Sequence, residues 1–298
     1  MTTTDIALAE RRLSLTAVLT SAVAAGISIG MTTPLVALVM AAAGHGSLAI
    51  GLNAAAQSVT LLAVGPFVPW VINRVGPVPA IVGGLLLSAA ALAAFPMVPV
   101  LAVWFLLRIA LGLGGALDWI VGETWVNSLA TGRRRGRVLA LYASLWGGGV
   151  AVGPLLLNLT GTEGALPFLV GAGLLCLACL PVAAARRLAP AMAEKPSPMG
   201  VLAAVGAAPV AMAAGFMSGF GEGTVFALLP VYGLRSGFEP AAAVLLISVF
   251  AAGAILIQPL IGWLADRIDR CIHRGGFPIP ALSCGRTAAI RYRHHPPA

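Results

Sequence analysis

Long apolar stretches make up most of the chain, and short polar turns separate them. The stretches are near 20 residues long and do not alternate strictly between polar and apolar positions. A membrane-spanning helix needs about 20 apolar residues, whereas a membrane β-strand is shorter and alternates. The pattern therefore predicts an all-α fold, a polytopic bundle of transmembrane helices.

Polar turns and prolines divide the chain into eight predicted spans. Their predicted bounds are 14–40, 48–72, 78–95, 100–121, 138–159, 167–185, 201–232 and 241–264. For span 7, a start after Pro209 is the alternative. Span 4 is expected to extend beyond the membrane towards the arginine-rich loop that follows it.

The longest polar stretch between predicted spans is 186–200, and it indicates a domain boundary. We predict a six-helix bundle in residues 1–185, a central loop at 186–200 and a partial second bundle, with spans 7 and 8, in 201–270. Residues 271–298 contain no apolar run and are predicted to be a disordered polar tail. The abrupt change of composition predicts a truncation or frameshift there. The alternative is a genuine short membrane protein with a cytoplasmic tail.

Composition agrees with the apolar pattern. The chain is 59% hydrophobic and 9% charged, with a mean hydropathy of +0.97. Soluble domains are about 25% charged. The chain is therefore predicted to be an integral membrane protein with the lipid bilayer as its main partner.

The net charge of +8 reflects basic residues that lie in turns at alternate ends of the spans. Cytoplasmic loops carry an excess of Lys and Arg, so the N-terminus and loops 2–3, 4–5, 6–7 and 8–9 are predicted on the cytoplasmic side of a cell (inner) membrane. These cytoplasmic basic residues are Arg11, Arg12, Arg74, Arg133, Arg134, Arg135, Arg137, Arg186, Arg187, Lys195, Arg267 and Arg270. The predicted outer loops hold Arg235 alone. No basic patch interleaves with aromatic residues, which excludes nucleic acid as an expected partner.

Several kinds of chemistry are not expected. No Walker-type loop is present, so ATP binding is not predicted. The span ends contain no catalytic cluster of His, Asp or Ser, so an enzyme is not predicted. Cys176 and Cys179 lie in an apolar run, and Cys271 and Cys284 have no spacing typical of zinc sites, so neither a metal nor another cofactor is predicted.

Three ionisable residues lie inside predicted spans, where a charge is costly and is therefore a candidate for function. Arg108 and Asp118 are on span 4, and Glu222 is near the middle of span 7. Asp118 lies about 80° around the helix from Arg108 and roughly 15 Å along it, too far for direct neutralisation. Each is predicted to face water, a substrate or another helix, with a buried structural pair as the alternative. Gln57 and Gln258 are predicted to make hydrogen bonds between helices.

Four short motifs lie in or next to the spans: two in the turns after spans 2 and 8, and two within spans 4 and 5. Gly262, Asp266 and Arg267 form a G-x-x-x-D-R turn after span 8, and Asn73 and Arg74 occupy the matching turn after span 2. Span 4 contains Arg108-x-x-x-Gly112-x-Gly114, and span 5 contains Gly149-x-x-x-Gly153-Pro154. Gly149 and Gly153 share one helix face, which predicts close packing against a neighbour.

These motifs resemble those of the major facilitator superfamily. The G-x-x-x-D-R turn resembles its signature loop, which follows the second span of each half. In this chain's copy after span 2, Asn73 stands where the family has an aspartate. The layout of Arg108 through Arg137, with Gly122-Glu123-Thr124 before an R-G-R-x-L-A-x-Y stretch, looks most like a poorly characterised branch of bacterial permeases in that superfamily. The resemblance covers about residues 10–270 and implies that about eight of the family's twelve spans are present.

The resemblance implies secondary active transport of a small solute by alternating access, coupled to protons. Spans 1, 4, 7 and 10 line the central cavity in that family, so Arg108 is expected to meet an acid such as Glu222 as a proton relay. A cationic substrate would fit Asp118 and Glu222, and an anionic or sugar-like one would fit Arg108. The alternative function is a transport-inactive membrane fragment or assembly partner of such a permease.

The signature loops imply a role in conformational gating. Asp266 and Arg267 are expected to pair across the cytoplasmic face, with a simple topogenic turn as the alternative. Glu123 follows span 4 on the same side as Arg74, which predicts an ion pair that closes in the outward-facing state.

Overall fold

Membrane-length helices form the fold, as the apolar pattern predicts. The computed structural model describes residues 3–129, 135–189, 206, 209–254 and 256–257. Within those ranges, seven helices are long and apolar enough to cross a membrane. Spans 1 to 7 are Glu10–Ala42, Ser47–Val75, Pro77–Met97, Leu101–Leu129, Val138–Thr160, Leu166–Leu188 and Met212–Arg235, and the shorter helix Pro240–Ala254 is the described part of span 8. The all-α membrane fold is confirmed.

The helices extend beyond the apolar segments where the sequence allows it. The helix of span 1 begins at Thr3 and ends at Ala42, and that of span 4 covers Leu101–Leu129. The helix of span 5 is Arg135–Thr160 with Pro154 inside it, and that of span 7 is Pro209–Arg235. The apolar segment thus gives the membrane part of each helix, and the polar extensions lengthen it.

Span 2 is divided by a proline-containing turn. Its two α-helices, Ser47–Val64 and Val68–Val75, are joined by the 3-10 turn Gly65–Phe67. Proline has no N–H to donate and interrupts the helical ladder, which accounts for the break. Gly76 then has a φ of +86°, which allows the chain to turn directly into the helix Pro77–Ala94 of span 3.

Span 1 is the central helix of the packing. It contacts spans 5, 6 and 7, while span 4 packs against spans 2 and 3, and span 3 also packs against span 6. The helix Leu166–Ala184 of span 6 ends in the 3-10 turn Ala185–Leu188. These helices all belong to one compact unit, residues 1–255.

Spans 1 and 5 cross at four glycines. A Cβ at Gly26 or Gly30 would meet the backbone of Trp146 or Val150, and one at Gly149 or Gly153 would meet the backbone of span 1. Lipid gives helices no hydrophobic reason to associate, so close backbone approach supplies the packing energy. We refer to Gly26, Gly30, Gly149 and Gly153 as the glycine crossing.

Ser14 joins one end of three spans. Its Oγ donates a hydrogen bond of 3.1 Å to the carbonyl of Leu188 and accepts one of 3.0 Å from the indole N–H of Trp125. Ser14 and Trp125 are both buried. Arg11, one turn before Ser14 on span 1, donates to the carbonyl of Leu129. The start of span 1 and the ends of spans 4 and 6 therefore share one face of the bundle. We call Ser14, Trp125 and Leu188 the Ser14 node.

Spans 5 and 8 are linked by two hydrogen bonds. Asn158 Nδ2 donates to the carbonyl of Ala241 at 3.2 Å, and Ser248 Oγ donates to the carbonyl of Ala151 at 2.9 Å. Span 5 of the predicted six-helix bundle thus contacts span 8 of the second bundle. The predicted loop 186–200 is described only as far as Ala189, and the predicted tail 271–298 lies outside the described residues.

Candidate functional site

Arg108 is held by two amides of span 2. Its Nε donates to Asn53 Oδ1 at 3.0 Å, and its Nη1 donates to Gln57 Oε1 at 2.7 Å. Arg108 is 2% exposed and Asn53 is fully buried. Residues three and four apart share a helix face, so both amides point at span 4. We call Arg108, Asn53 and Gln57 the amide clamp.

The amide clamp corresponds to one of the alternatives expected for Arg108. The sequence predicts that this residue meets water, a substrate or another helix, and the structure places it against another helix. Neutral oxygens accept its hydrogen bonds, so the guanidinium is partnered without an acid. Gly112 lies one turn further along span 4, where a Cβ would collide with the backbone of Gln57. The helices therefore approach closely enough for both side-chain contacts.

Asp118 lies on a different face of span 4 and lines a cavity. Its side chain is 7% exposed, and among the described residues its Oδ1 has no hydrogen-bond partner. A buried polar atom without a partner is rare and needs an explanation. The cavity that Asp118 lines is about 100 Å³.

All of the first six spans contribute to this cavity, which we call the six-span cavity. Its polar lining consists of Ser28, Thr32, Gln57, Ser88 and Asp118. The rest of the lining is apolar or aromatic: Ala25, Ile29, Leu61, Leu85, Leu92, Leu111, Gly115, Trp119, Trp146 and Leu175. Asp118 is thus the single ionisable side chain in the lining that the structure describes.

Two indole rings form the aromatic part of the wall. Trp119 and Trp146 pack edge to face with their ring centroids 4.9 Å apart, and Tyr142 lies 5.4 Å from Trp119. The Tyr142 hydroxyl lies 3.5 Å from the carbonyl of Trp119 and against Gly122, where a Cβ would crowd it. These contacts fix the Trp119 ring beside Asp118.

The glycines of the span 4 and span 5 motifs lie at helix contacts. Gly114 faces Gly84 and Ser88 of span 3, where an added Cβ would clash. Gly149 and Gly153 belong to the glycine crossing, and the adjacent Pro154 is buried.

Glu222 does not meet Arg108 in this structure. It lies on an exposed stretch of span 7, and span 7 packs mainly against spans 1 and 2. This conformation does not bring Arg108 and Glu222 together, and their role as a proton relay stays a prediction. The physical reason for their separation is that Arg108 already has two hydrogen-bond acceptors on span 2.

Arg74 and Glu123 likewise form no ion pair here. The Arg74 guanidinium lies over the ring of Trp70, 4.9 Å from its centroid, and Glu123 and Asn73 are exposed. Stacking on an indole a helical turn earlier offers Arg74 a nearer partner than an acid on another helix. Gly262, Asp266 and Arg267 lie outside the described residues, so their gating role stays a prediction.

Several residues of the site are absent from the sequence prediction. Asn53 carries a usable signal, since two amides four positions apart on one apolar helix indicate a polar partner. Trp119 and Trp146 carry no such signal, because aromatic residues in a span more often pack against other helices than bind a ligand. Their position beside Asp118 becomes evident only when spans 4 and 5 are brought together.

Comparison with known proteins identifies relatives of one kind. The family model described as Major Facilitator Superfamily matches residues 18–289. The "Uncharacterized MFS-type transporter YfkF" of Bacillus subtilis is 29% identical over 250 residues, which cover 82% of this chain and 64% of that protein. The "Uncharacterized MFS-type transporter YcaD" of Escherichia coli is 29% identical over 173 residues, 57% of this chain and 44% of that protein. The chain thus spans less than two thirds of the length of these relatives.

Proposed function

Because the chain belongs to the major facilitator superfamily, we propose that it acts as a secondary active transporter that moves a small solute across a bacterial inner membrane by alternating access, coupled to protons. The relatives named as MFS-type transporters support the transport class. The observation that carries the proposal is the buried, unpartnered carboxylate of Asp118 in the six-span cavity.

Asp118 has the properties that proton coupling requires. A charged carboxylate among apolar walls is costly, and binding a proton removes that cost. When the cavity is hydrated in the other conformation, the charged form becomes acceptable again. The group can therefore bind a proton in one state and release it in the other. Arg108 does not compensate the charge directly, since its guanidinium is engaged by the amide clamp.

We expect Asp118→Asn to abolish proton-driven transport. Proteoliposomes containing the full chain would be given a pH gradient in each direction and one of three labelled solutes: tetramethylammonium, lactate or a methyl glucoside. In the wild type, one solute should accumulate, and a protonophore should collapse the accumulation. In Asp118→Asn, accumulation should fall at least tenfold, while exchange of labelled for unlabelled solute at saturating concentration should persist.

The matched control is Glu163→Gln, which neutralises an exposed acid in the turn before span 6. It should transport as the wild type does. The proposal fails if none of the three solutes accumulates, or if Asp118→Asn accumulates solute as well as the wild type.

The proposed orientation places the N-terminus in the cytoplasm. The Ser14 node supports this, because it brings the arginine-bearing start of span 1 and the end of span 6 to one face. In a variant lacking native cysteines, we expect Arg74→Cys to react with an impermeant maleimide only after the membrane is opened. His45→Cys, in the turn between spans 1 and 2, should react in intact cells. The reverse pattern would contradict the orientation.

A further inference from the structure

The six-span cavity contains the features of a cation site. We propose that it recognises a small monovalent organic cation, with Asp118 as the counter-charge and the rings of Trp119 and Trp146 as the wall against which the cation rests. This rests on the proposed transport function and names the class of its substrate.

The charge of the cavity lining favours a cation. Asp118 is the single ionisable group in the described lining, and it is more than nine-tenths buried with Oδ1 lacking a partner. An anion would face an acid with no compensating base in the wall. A cation would supply the missing partner of Oδ1 and offset the cost of burying the carboxylate.

The aromatic rings of the cavity wall also favour a cation. An indole face attracts a cation through its quadrupole more strongly than the rings of Phe or Tyr do. Trp119 follows Asp118 directly in the sequence, and Trp146 lies edge to face against it at 4.9 Å. Tyr142 packs on Trp119 at 5.4 Å and limits its rotation. The rings are therefore held in place before a cation enters.

Size and lining favour an organic cation over a metal ion. A divalent metal takes six or more oxygen ligands, or else clustered His and Cys. The described residues contain no group of three or more His, Cys, Asp or Glu that could hold a metal. Two thirds of the lining is apolar or aromatic, which suits methyl groups. At about 100 Å³, the cavity is smaller than the ~150 Å³ cavity that accepts benzene, so the cation must be small.

The test compares two molecules of the same tetrahedral shape. Tetramethylammonium carries a charge and tert-butanol does not, and binding of each to the purified full chain in detergent is measured by isothermal titration calorimetry. We expect tetramethylammonium to bind at least tenfold more tightly than tert-butanol, and the bulkier tetraethylammonium to bind more weakly. If the wild-type protein binds tetramethylammonium and tert-butanol with equal affinity, the proposal is overturned.

Variants then assign the site. We expect Asp118→Asn to lower the affinity for tetramethylammonium at least tenfold, and Trp146→Leu to lower it roughly three- to thirty-fold. Trp146→Phe should recover part of that loss, because a Phe ring also attracts a cation, although less strongly than an indole does. Trp70→Leu is the matched control, since Trp70 is exposed and outside the cavity. Unchanged affinity in Asp118→Asn or in Trp146→Leu would overturn the assignment.

The outcomes for recognition and for transport are separable. If tetramethylammonium binds with this dependence but none of the three solutes accumulates in proteoliposomes, the cation site stands and the transport proposal fails. If lactate or the glucoside accumulates instead and tetramethylammonium does not bind, transport stands and the cation site is overturned.

Discussion

Gly153→Ala is expected to destabilise the protein by about 2 kcal/mol, because a single methyl group has no space at the glycine crossing. A Cβ at Gly153 would lie under 3.0 Å from backbone atoms of Gly30 and Met31. Backbone cannot rotate aside as a side chain can, so spans 1 and 5 must separate along their contact. The free energy of unfolding in mixed micelles, from a reversible detergent titration, measures the effect.

Gly148→Ala provides the matched control on the same helix. Nothing lies within 4 Å of a Cβ at Gly148. Alanine is favoured over glycine in a helix by about 1 kcal/mol, so this variant should be as stable as the wild type or slightly more so. If Gly153→Ala behaves like Gly148→Ala, the two helices are not held by backbone contact.

Asn53→Leu is expected to cost about 2–4 kcal/mol, since it removes an acceptor from a buried guanidinium. Arg108 is 2% exposed and its Nε donates to Asn53. The same detergent titration measures the loss. The control is Asn73→Leu, an exposed asparagine on the same span, whose effect should stay within about 0.5 kcal/mol.

The combination of Asn53→Leu, Gln57→Leu and Arg108→Met tests the amide clamp as a unit. With charge and acceptors removed together, apolar packing replaces the hydrogen bonds, and stability should return to within about 1 kcal/mol of the wild type. The pairwise terms follow from the intermediate variants. If Arg108→Met alone proves neutral and Asn53→Leu costs nothing, Arg108 does not depend on span 2.

The membrane fold could be predicted from the sequence because hydropathy acts locally. A segment such as Leu166–Leu188 is apolar over its whole length, and a bilayer forces its backbone to bond internally whatever its neighbours are. The break at Gly65–Phe67 within span 2 was harder to place, because a proline in a span can bend, interrupt or leave the helix intact.

The partners of the buried charges could not be predicted in the same way. The position of Arg108 marks it as costly, but its acceptors Asn53 and Gln57 lie 55 and 51 residues earlier in the chain. Resemblance favoured an acid on span 7, and two amides on a nearer helix satisfied the guanidinium instead. Helical periodicity did separate Arg108 from Asp118, which are on different faces of span 4.

The Ser14 node also sets an order for biogenesis. Ser14 is 111 residues before Trp125 and 174 before Leu188. At roughly 5–20 residues per second, a ribosome takes about 9–35 s to supply the last of these partners. Span 1 therefore enters the membrane before Trp125 and Leu188, the two partners of the Ser14 hydroxyl, have been synthesised. Until then, this face of the bundle lacks the contacts that join spans 1, 4 and 6 in the finished protein.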